Sequence, residues 1–355
     1  ITKDHRQPNT TIVDSLINQI KNCSVSQVDI HSAFHNIKLT PDSVPWTAFY
    51  LGSECYAFRR MVFGLTNSPA TWGIFMQLML EKNIFQLARD SLSLMEKELL
   101  DKHFNSYEQF LIYYVDDIFI FSEKDNFPLH KLCVKMGLFA IRNADVKISP
   151  NKCTFFTKKV TIMGLALDTE QSEIFLDEQK GNSILSWAKP SSLAELQSRL
   201  FSLQYFSRFY INLKSELAPL YLVLRSKTFY WDVQCDSAWT AMKSIILADL
   251  KLSIPSEQDQ LVLYTDASAV ACSQILFMVT DQQFKVVSCN SKIFSHIDAH
   301  RDMHLKESIS LALAIKTYMP YLLNSSKPIL ILTDARNLLK QNRLKERSIL
   351  CSSLM

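Results

Sequence analysis

The hydrophobic pattern of the chain is strongest from Leu111 to Ser122, LIYYVDDIFIFS, where two apolar runs flank an acidic pair, Asp116 and Asp117. β-Branched and aromatic runs of that kind predict strands, and the polar pair falls where a tight hairpin turns. Upstream, apolar residues at 12, 13, 16, 17 and 20 have helical spacing, and Val25 to Ile30 alternates as a short strand that reaches Asp29. Gly64 and the cluster Thr66–Asn67–Ser68–Pro69 predict a turn that opens a helix near Ala70. Residues 81–110 read as amphipathic helix and Leu129 to Arg142 as a further helix. Lys147 to Leu167 reads as loop and strands, with a turn at Met163–Gly164.

The second half repeats the alternation of periods. Ser192-Leu-Ala-Glu195 has the spacing of a capping box, and Leu193, Leu196, Leu200 and Leu203 continue it as an amphipathic helix. Near the end, two apolar runs each finish in Thr-Asp-Ala, at Asp266 and at Asp334. Between them lie strands near Gln274–Val279 and Phe284–Ser288 and a helix from Leu305 to Leu323 that carries Glu307. Residues 335–350 read as a closing helix. His296, His300 and His304 are spaced i, i+4, i+8, but the polar residues around them predict loop rather than a metal-binding helix face.

Composition sets the outer limits. The chain has 355 residues, 48% hydrophobic and 21% charged, which describes globular domains and not a disordered segment. No apolar run approaches the ~18 residues of a membrane span, and the first residues show no signal peptide. Eight cysteines without a C-x-x-C pair fit a reducing compartment better than a disulfide framework or a zinc site. The net charge of +3 permits a nucleic-acid partner without arguing for one. More local is the stretch from Trp187 to Trp231, with six basic residues against two acids and aromatics interleaved in LQYFSRFYINLK. Such helices can neutralise phosphates, although a solvated face over an aromatic core stripe gives the same pattern.

The chemistry is suggested by the acids. Neither Asp116 nor Asp117 has a Lys or Arg within five residues in sequence. Adjacent carboxylates beside a buried sheet repel one another unless a cation lies between them, and a hard divalent ion meets that need. Aspartate is also an ordinary turn residue. Asp266 and Asp334 at strand ends and Glu307 on the intervening helix could likewise converge on metal, or merely cap their elements.

Taken in order, VDIHSAFHNIKL, FGLTNSPATW, YVDD, KISPNKCTFF and the IMGL turn resemble the palm of a reverse transcriptase of the retroviral and gypsy-type LTR-retrotransposon kind. The resemblance extends over nearly the whole chain as part of a Pol polyprotein. It implies an α+β fold: a right-hand polymerase palm with partial fingers over 1–170, a helical thumb and connection over 171–255, and an α/β ribonuclease H-like domain over 256–355. The implied activity is RNA-directed DNA synthesis with hybrid cleavage by the attached nuclease. Implied cofactors are Mg²⁺ or Mn²⁺, two per active site, held by Asp29, Asp116 and Asp117 and again by Asp266, Glu307 and Asp334. Lys152 matches the family's proton donor to pyrophosphate. Phe34 matches the aromatic beneath the sugar, Phe63, Gly64 and Asn67 the nucleotide side, and Met163 and Gly164 the primer grip.

Implied partners are an RNA or DNA template–primer, RNA:DNA hybrid, deoxynucleoside triphosphates and flanking protease and integrase domains, with no membrane. The implied setting is intracellular, in a cytoplasmic particle or the nucleus. The family pattern also leads one to expect that the chain starts within the fingers and stops before a fourth nuclease carboxylate. Where the family has a glycine-rich segment after the first nuclease acid, this sequence reads Ala269-Val-Ala-Cys272-Ser. The connection at 81–110 is longer than is usual for the gypsy type. The rival reading is a catalytically dead remnant that at most binds nucleic acid.

Overall fold

The computed structural model describes residues 19–20, 22–248, 251–280 and 283–333. Most of the helix expected over 12–20, Asp334 and the 335–350 helix therefore lie outside the described residues. The chain divides into two compact units, residues 1–160 with 168–171, and residues 161–167 with 172–355.

The first unit is built on an antiparallel sheet of order β4-β5-β1-β6. Its strands are β1 (Cys23–Asp29), β4 (Leu111–Tyr114), β5 (Asp117–Glu123) and β6 (Thr154–Thr157), while β2 (Phe49–Leu51) and β3 (Glu54–Tyr56) form a separate hairpin. They are accompanied by α1 (Ser68–Met79), α2 (Lys82–Asp90), α3 (Leu94–His103) and α4 (Phe127–Asn143). Val28, Ile118, Ile120 and the α4 residues Leu129, Cys133, Met136 and Ala140 share one buried core. Helix α4 approaches the sheet closely at Gly137, where a Cβ would stand 2.7 Å from Ile120 Cδ1.

The single amphipathic stretch expected over 81–110 is two helices, α2 and α3. Ser93 breaks it with a capping box, its Oγ accepting from Glu96 N–H while the Glu96 carboxylate accepts from Ser93 N–H. A Ser side chain competes well for the orphan N–H groups of a new helix start.

Beneath the sheet, His130 is fully buried. Its Nε2 lies 2.8 Å from Ser26 Oγ on β1 and its Nδ1 2.9 Å from Ser122 Oγ on β5. Burial with two neutral hydroxyl partners disfavours the imidazolium and brings the pKa down to about 4.

A further sheet has order β10-β9-β8-β7, from β7 (Lys159–Ile162), β8 (Leu165–Asp168), β9 (Glu173–Leu176) and β10 (Leu252–Ser253). Between β9 and β10 run α5 (Glu178–Leu185), α6 (Leu193–Tyr205), α7 (Leu213–Glu216), α8 (Ala218–Ser226) and α9 (Val233–Leu247). Only half of the capping box at α6 forms. Ser192 Oγ accepts from Glu195 N–H, but the Glu195 carboxylate accepts from Ser191 instead. The Arg199 guanidinium lies between the Trp187 and Trp239 rings, 5.9 and 5.7 Å from their centroids.

The last sheet has order β13-β12-β11-β14, from β11 (Gln260–Ala267), β12 (Ala271–Thr280), β13 (Gln283–Ile293) and β14 (Leu330–Leu332). β14 runs parallel to β11, while the other pairs are antiparallel. The histidine segment expected as loop forms a short helix, α10 (His296–Ala299), because Ser295 Oγ caps it at Asp298 N–H. His304 falls in the first turn of α11 (Met303–Leu323). Among the described residues the cysteines are free, and no helix is long and apolar enough to cross a membrane.

Candidate active site

Asp29 is the last residue of β1, and antiparallel register sets it directly opposite Asp117, the first residue of β5. Both ends are fixed by backbone bonds: Ile30 N–H donates to the Asp116 carbonyl at 2.9 Å and Ser149 N–H to that of Asp29 at 2.9 Å. The expected hairpin thus exists, and its turn, Val115–Asp116, carries the acidic pair to the end of the sheet. Val115 has φ +52°, a left-handed conformation that is an outlier for a β-branched residue.

Electrostatics mark the cluster. Burial, then the Asp117 and Asp29 charges, raise the Asp116 pKa, and Lys152 opposes the rise. Burial and Asp29 also raise that of Asp117, against a 3.0 Å hydrogen bond from Gln27 Nε2 and the charge of Lys152. Lys152 Nζ stands 3.7 Å from Asp29 Oδ2, and its side chain is 70% exposed. Asp116 Oδ1 is buried and receives no hydrogen bond from any described residue. Three like charges held together, one with an unpaired oxygen, create demand for a cation.

Phe34, expected beneath the sugar, follows on the short helical turn Ala33–Asn36 and is 7% exposed. Its ring packs 5.1 Å from Phe63, which is largely exposed, and 6.4 Å from Trp72. Gly64 has φ +88°, with open space where a side chain would start, so it is the backbone conformation that calls for glycine there. Asn67 precedes α1 without a side-chain capping bond, and its buried Oδ1 has no partner among the described residues. Met163 and Gly164, with φ +52° and +79°, link β7 to β8 in a two-residue turn. They belong to the second unit, the acids to the first.

At the nuclease-like site, Asp266 lies near the end of β11, and the buried Glu307 accepts a 3.2 Å hydrogen bond from Ala267 N–H. Ser310 Oγ donates to the Asp266 carbonyl at 3.2 Å, joining α11 to that strand. The buried Lys306 ammonium donates to the Ala269 carbonyl at 3.0 Å and so anchors the glycine-free turn. Asp334 lies outside the described residues.

Two contributors escaped the sequence reading. Gln27 was legible in principle, since it precedes Asp29 by two positions and shares its face of the strand. Trp72 was not, because its partner, the Val115 carbonyl, lies 43 residues away and is reached at 2.6 Å by the indole N–H.

Residues 2–167 match the family model described as reverse transcriptase (RNA-dependent DNA polymerase), and residues 231–331 match that of the RNase H-like domain found in reverse transcriptase. The chain carries a reverse transcriptase domain followed by an RNase H-like domain. Relatives of this reverse transcriptase region are retrotransposon Pol polyproteins. That of transposon 297 from Drosophila melanogaster is 26% identical over 337 residues, covering 94% of the chain and 29% of that polyprotein. The transposon Tf2-3 polyprotein of Schizosaccharomyces pombe is 23% identical, covering 92% of the chain and 23% of its own length. The chain therefore spans less than a third of these curated relatives.

The fold is shared with foamy viral protease-reverse transcriptase. One structure, in complex with double-stranded DNA, gives a TM-score of 0.69 at 19% identity over 99% of this chain and 56% of that one. Another, in complex with RNA/DNA hybrid, gives 0.64 at 18% over 98% of this chain and 43% of that one. Reverse transcriptase and ribonuclease H-like domains use divalent metals. The unpaired Asp116 oxygen and the mutual repulsion of the three carboxyls fit such an ion. As the side chains stand, however, no three His, Cys, Asp or Glu among the described residues form a ready metal group.

Proposed function

We propose that this reverse transcriptase region extends a primer with deoxynucleoside triphosphates on an RNA or DNA template. Residues 1–170 would form partial fingers and palm, 171–255 thumb and connection, and 256–355 the ribonuclease H-like domain. The observation that carries the reading is the facing pair Asp29 and Asp117, with Asp116 beside them holding an unpaired carboxylate oxygen. Hard oxygen donors gathered at one end of the sheet would hold Mg²⁺ or Mn²⁺ ions, which when bound would supply charge for the attacking and leaving oxygens of an in-line transfer.

The protein's own groups do the rest. Asp29 and Asp117 orient from adjacent strand ends, so their separation is set by backbone pairing rather than by loose rotamers. Lys152, exposed and next to Asp29, is placed to give a proton to the departing pyrophosphate. The packed Phe34 ring bars a 2′-hydroxyl, and Phe63, Gly64 and Asn67 line the nucleotide side. Met163–Gly164 would hold the primer strand. Asp266, Glu307 and Asp334 would bind the second pair of ions, for cleavage of the RNA strand of a hybrid. That the foamy viral relatives are solved with double-stranded DNA and RNA/DNA hybrid supports a duplex as partner. The polyprotein names of the relatives support flanking Pol domains, and an intracellular retroelement particle is the corresponding setting.

The test is primer extension on an RNA template in Mg²⁺ and in Mn²⁺. Wild-type chain should add deoxynucleotides, and Asp116→Asn with Asp117→Asn should abolish addition while still retaining primer–template in a gel shift. The rival reading is a remnant that binds nucleic acid without catalysis. Binding without extension by the wild type would establish that reading and overturn the first.

A further inference from the structure

We propose that Trp72 is a positioning residue for the acidic turn: its indole N–H, bonded to the Val115 carbonyl, holds Val115 in its left-handed conformation and thereby sets Asp116 for metal. The proposal rests on the polymerase reading above.

Three observations carry it. First, Val115 is β-branched and sits at φ +52°, where its Cβ crowds the backbone. Left to itself such a residue returns to extended backbone, and the following peptide, with Asp116, rotates with it. Second, the turn is pinned at successive carbonyls. Asp116 O accepts from Ile30 N–H at 2.9 Å, and Val115 O accepts from Trp72 Nε1–H at 2.6 Å. The first pin belongs to the sheet, while the second is a side chain reaching across from α1. Third, that side chain is itself immobilised. Trp72 is 1% exposed and stacks on Phe75 with ring centroids 5.2 Å apart. Its edge-to-face contact with Phe34 places the clamp and the nucleotide-side aromatic in one packed unit.

Tryptophan is suited to this because it joins an apolar body to a donor at the ring's far edge. Phenylalanine fills most of the same space and donates nothing. Trp72→Phe therefore separates clamp from packing better than a truncation does.

The experiment uses the full chain and two readouts, Mn²⁺ affinity by electron paramagnetic resonance titration and steady-state primer extension. Affinity at the acidic turn is isolated by subtracting the Asp116→Asn/Asp117→Asn protein, which reports the other site. Trp72→Phe should weaken Mn²⁺ about 10-fold and lower kcat about 10-fold, with KM for primer–template unchanged. Adding Val115→Gly to Trp72→Phe should recover most of both losses, because glycine takes a positive φ without strain and needs no clamp. Packing lost with the indole is not recovered by that second change, so a merely structural Trp72 shows no rescue.

Wild-type affinity and kcat in Trp72→Phe would overturn the proposal while leaving the polymerase reading intact, as would loss without rescue in the double variant. A wild-type chain that neither binds Mn²⁺ at the turn nor extends primers ends both.

Discussion

Acid sensitivity of the first unit should come in large part from one histidine. His130 is buried between Ser26 and Ser122, and its pKa falls from near 6.5 to about 4 on folding. The unfolded chain therefore binds a proton that the folded chain refuses throughout the interval from about pH 6.5 to about 4. Stability from this group is intact above the upper limit, falls with pH inside the interval, and stays lost below it. The full loss is about 3 kcal/mol at 1.36 kcal/mol per unit, and at pH 5.0 about 2 kcal/mol is already gone. Against a typical domain stability of about 5–15 kcal/mol, that is a large share. His130→Gln keeps polar atoms between the serines but does not titrate. Urea unfolding at pH 7.5 and 5.0, followed by hydrogen exchange in peptides from residues 117–143, reads the unit that contains the histidine and not the chain average. Wild type should lose about 2 kcal/mol more than His130→Gln between the two pH values. Parallel losses in the two proteins, or an imidazole NMR titration centred near 6.5 in the folded chain, would refute the reasoning.

Other perturbations follow from geometry already described. Phe34→Val removes a ring packed against Phe63 and Trp72. It should raise the ratio of ribonucleotide to deoxynucleotide kcat/KM at least about 10-fold, and a ratio unchanged in an active chain would make Phe34 a core aromatic only. Met163→Asn should stabilise the second unit by about 1 kcal/mol, since asparagine tolerates the left-handed φ and Met163 is 44% exposed; an unchanged or lower urea midpoint tells against strain there. Arg199→Met, which keeps an apolar stem but removes the cation between Trp187 and Trp239, should destabilise by about 1–3 kcal/mol. Tryptophan fluorescence during urea unfolding measures it, and a midpoint equal to wild type discounts the sandwich.

What could be read from sequence was what depends on neighbours along the chain. The strand ending at Asp29, the Asp116–Asp117 hairpin, the helix opened by Ser68–Pro69 and the long helix over 127–143 each declare themselves by period and cap. The β2–β3 hairpin did not, because its residues are exposed on both faces and a strand without a buried side shows no alternation. The split at Ser93 turns on a single capping side chain within an otherwise helical pattern. At the site, the residue types were legible but not their couplings. Lys152 reaches Asp29 from 123 positions away and Gln27 reaches Asp117 from 90, distances that periodicity does not see. Likewise, the left-handed Val115 has no compositional signal, since a β-branched residue is poorly suited to that conformation.

The register between β1 and β5 also predicts where the sequence can change length. Side chains alternate across a strand, so one residue gained or lost between Cys23 and Asp29 would exchange the faces of Gln27, Val28 and Asp29. The Asp29 carboxylate would turn into the apolar space under α4 while Val28 turned out. The turn between α2 and α3 has no such partner in register, and a residue added there lengthens only a connection. If the proposed function holds, copies that extend primers should keep β1 and β5 at constant length while the segment near Ser91–Ser93 varies. On the proposed function, a one-residue indel within β1 should mark copies that no longer extend primers.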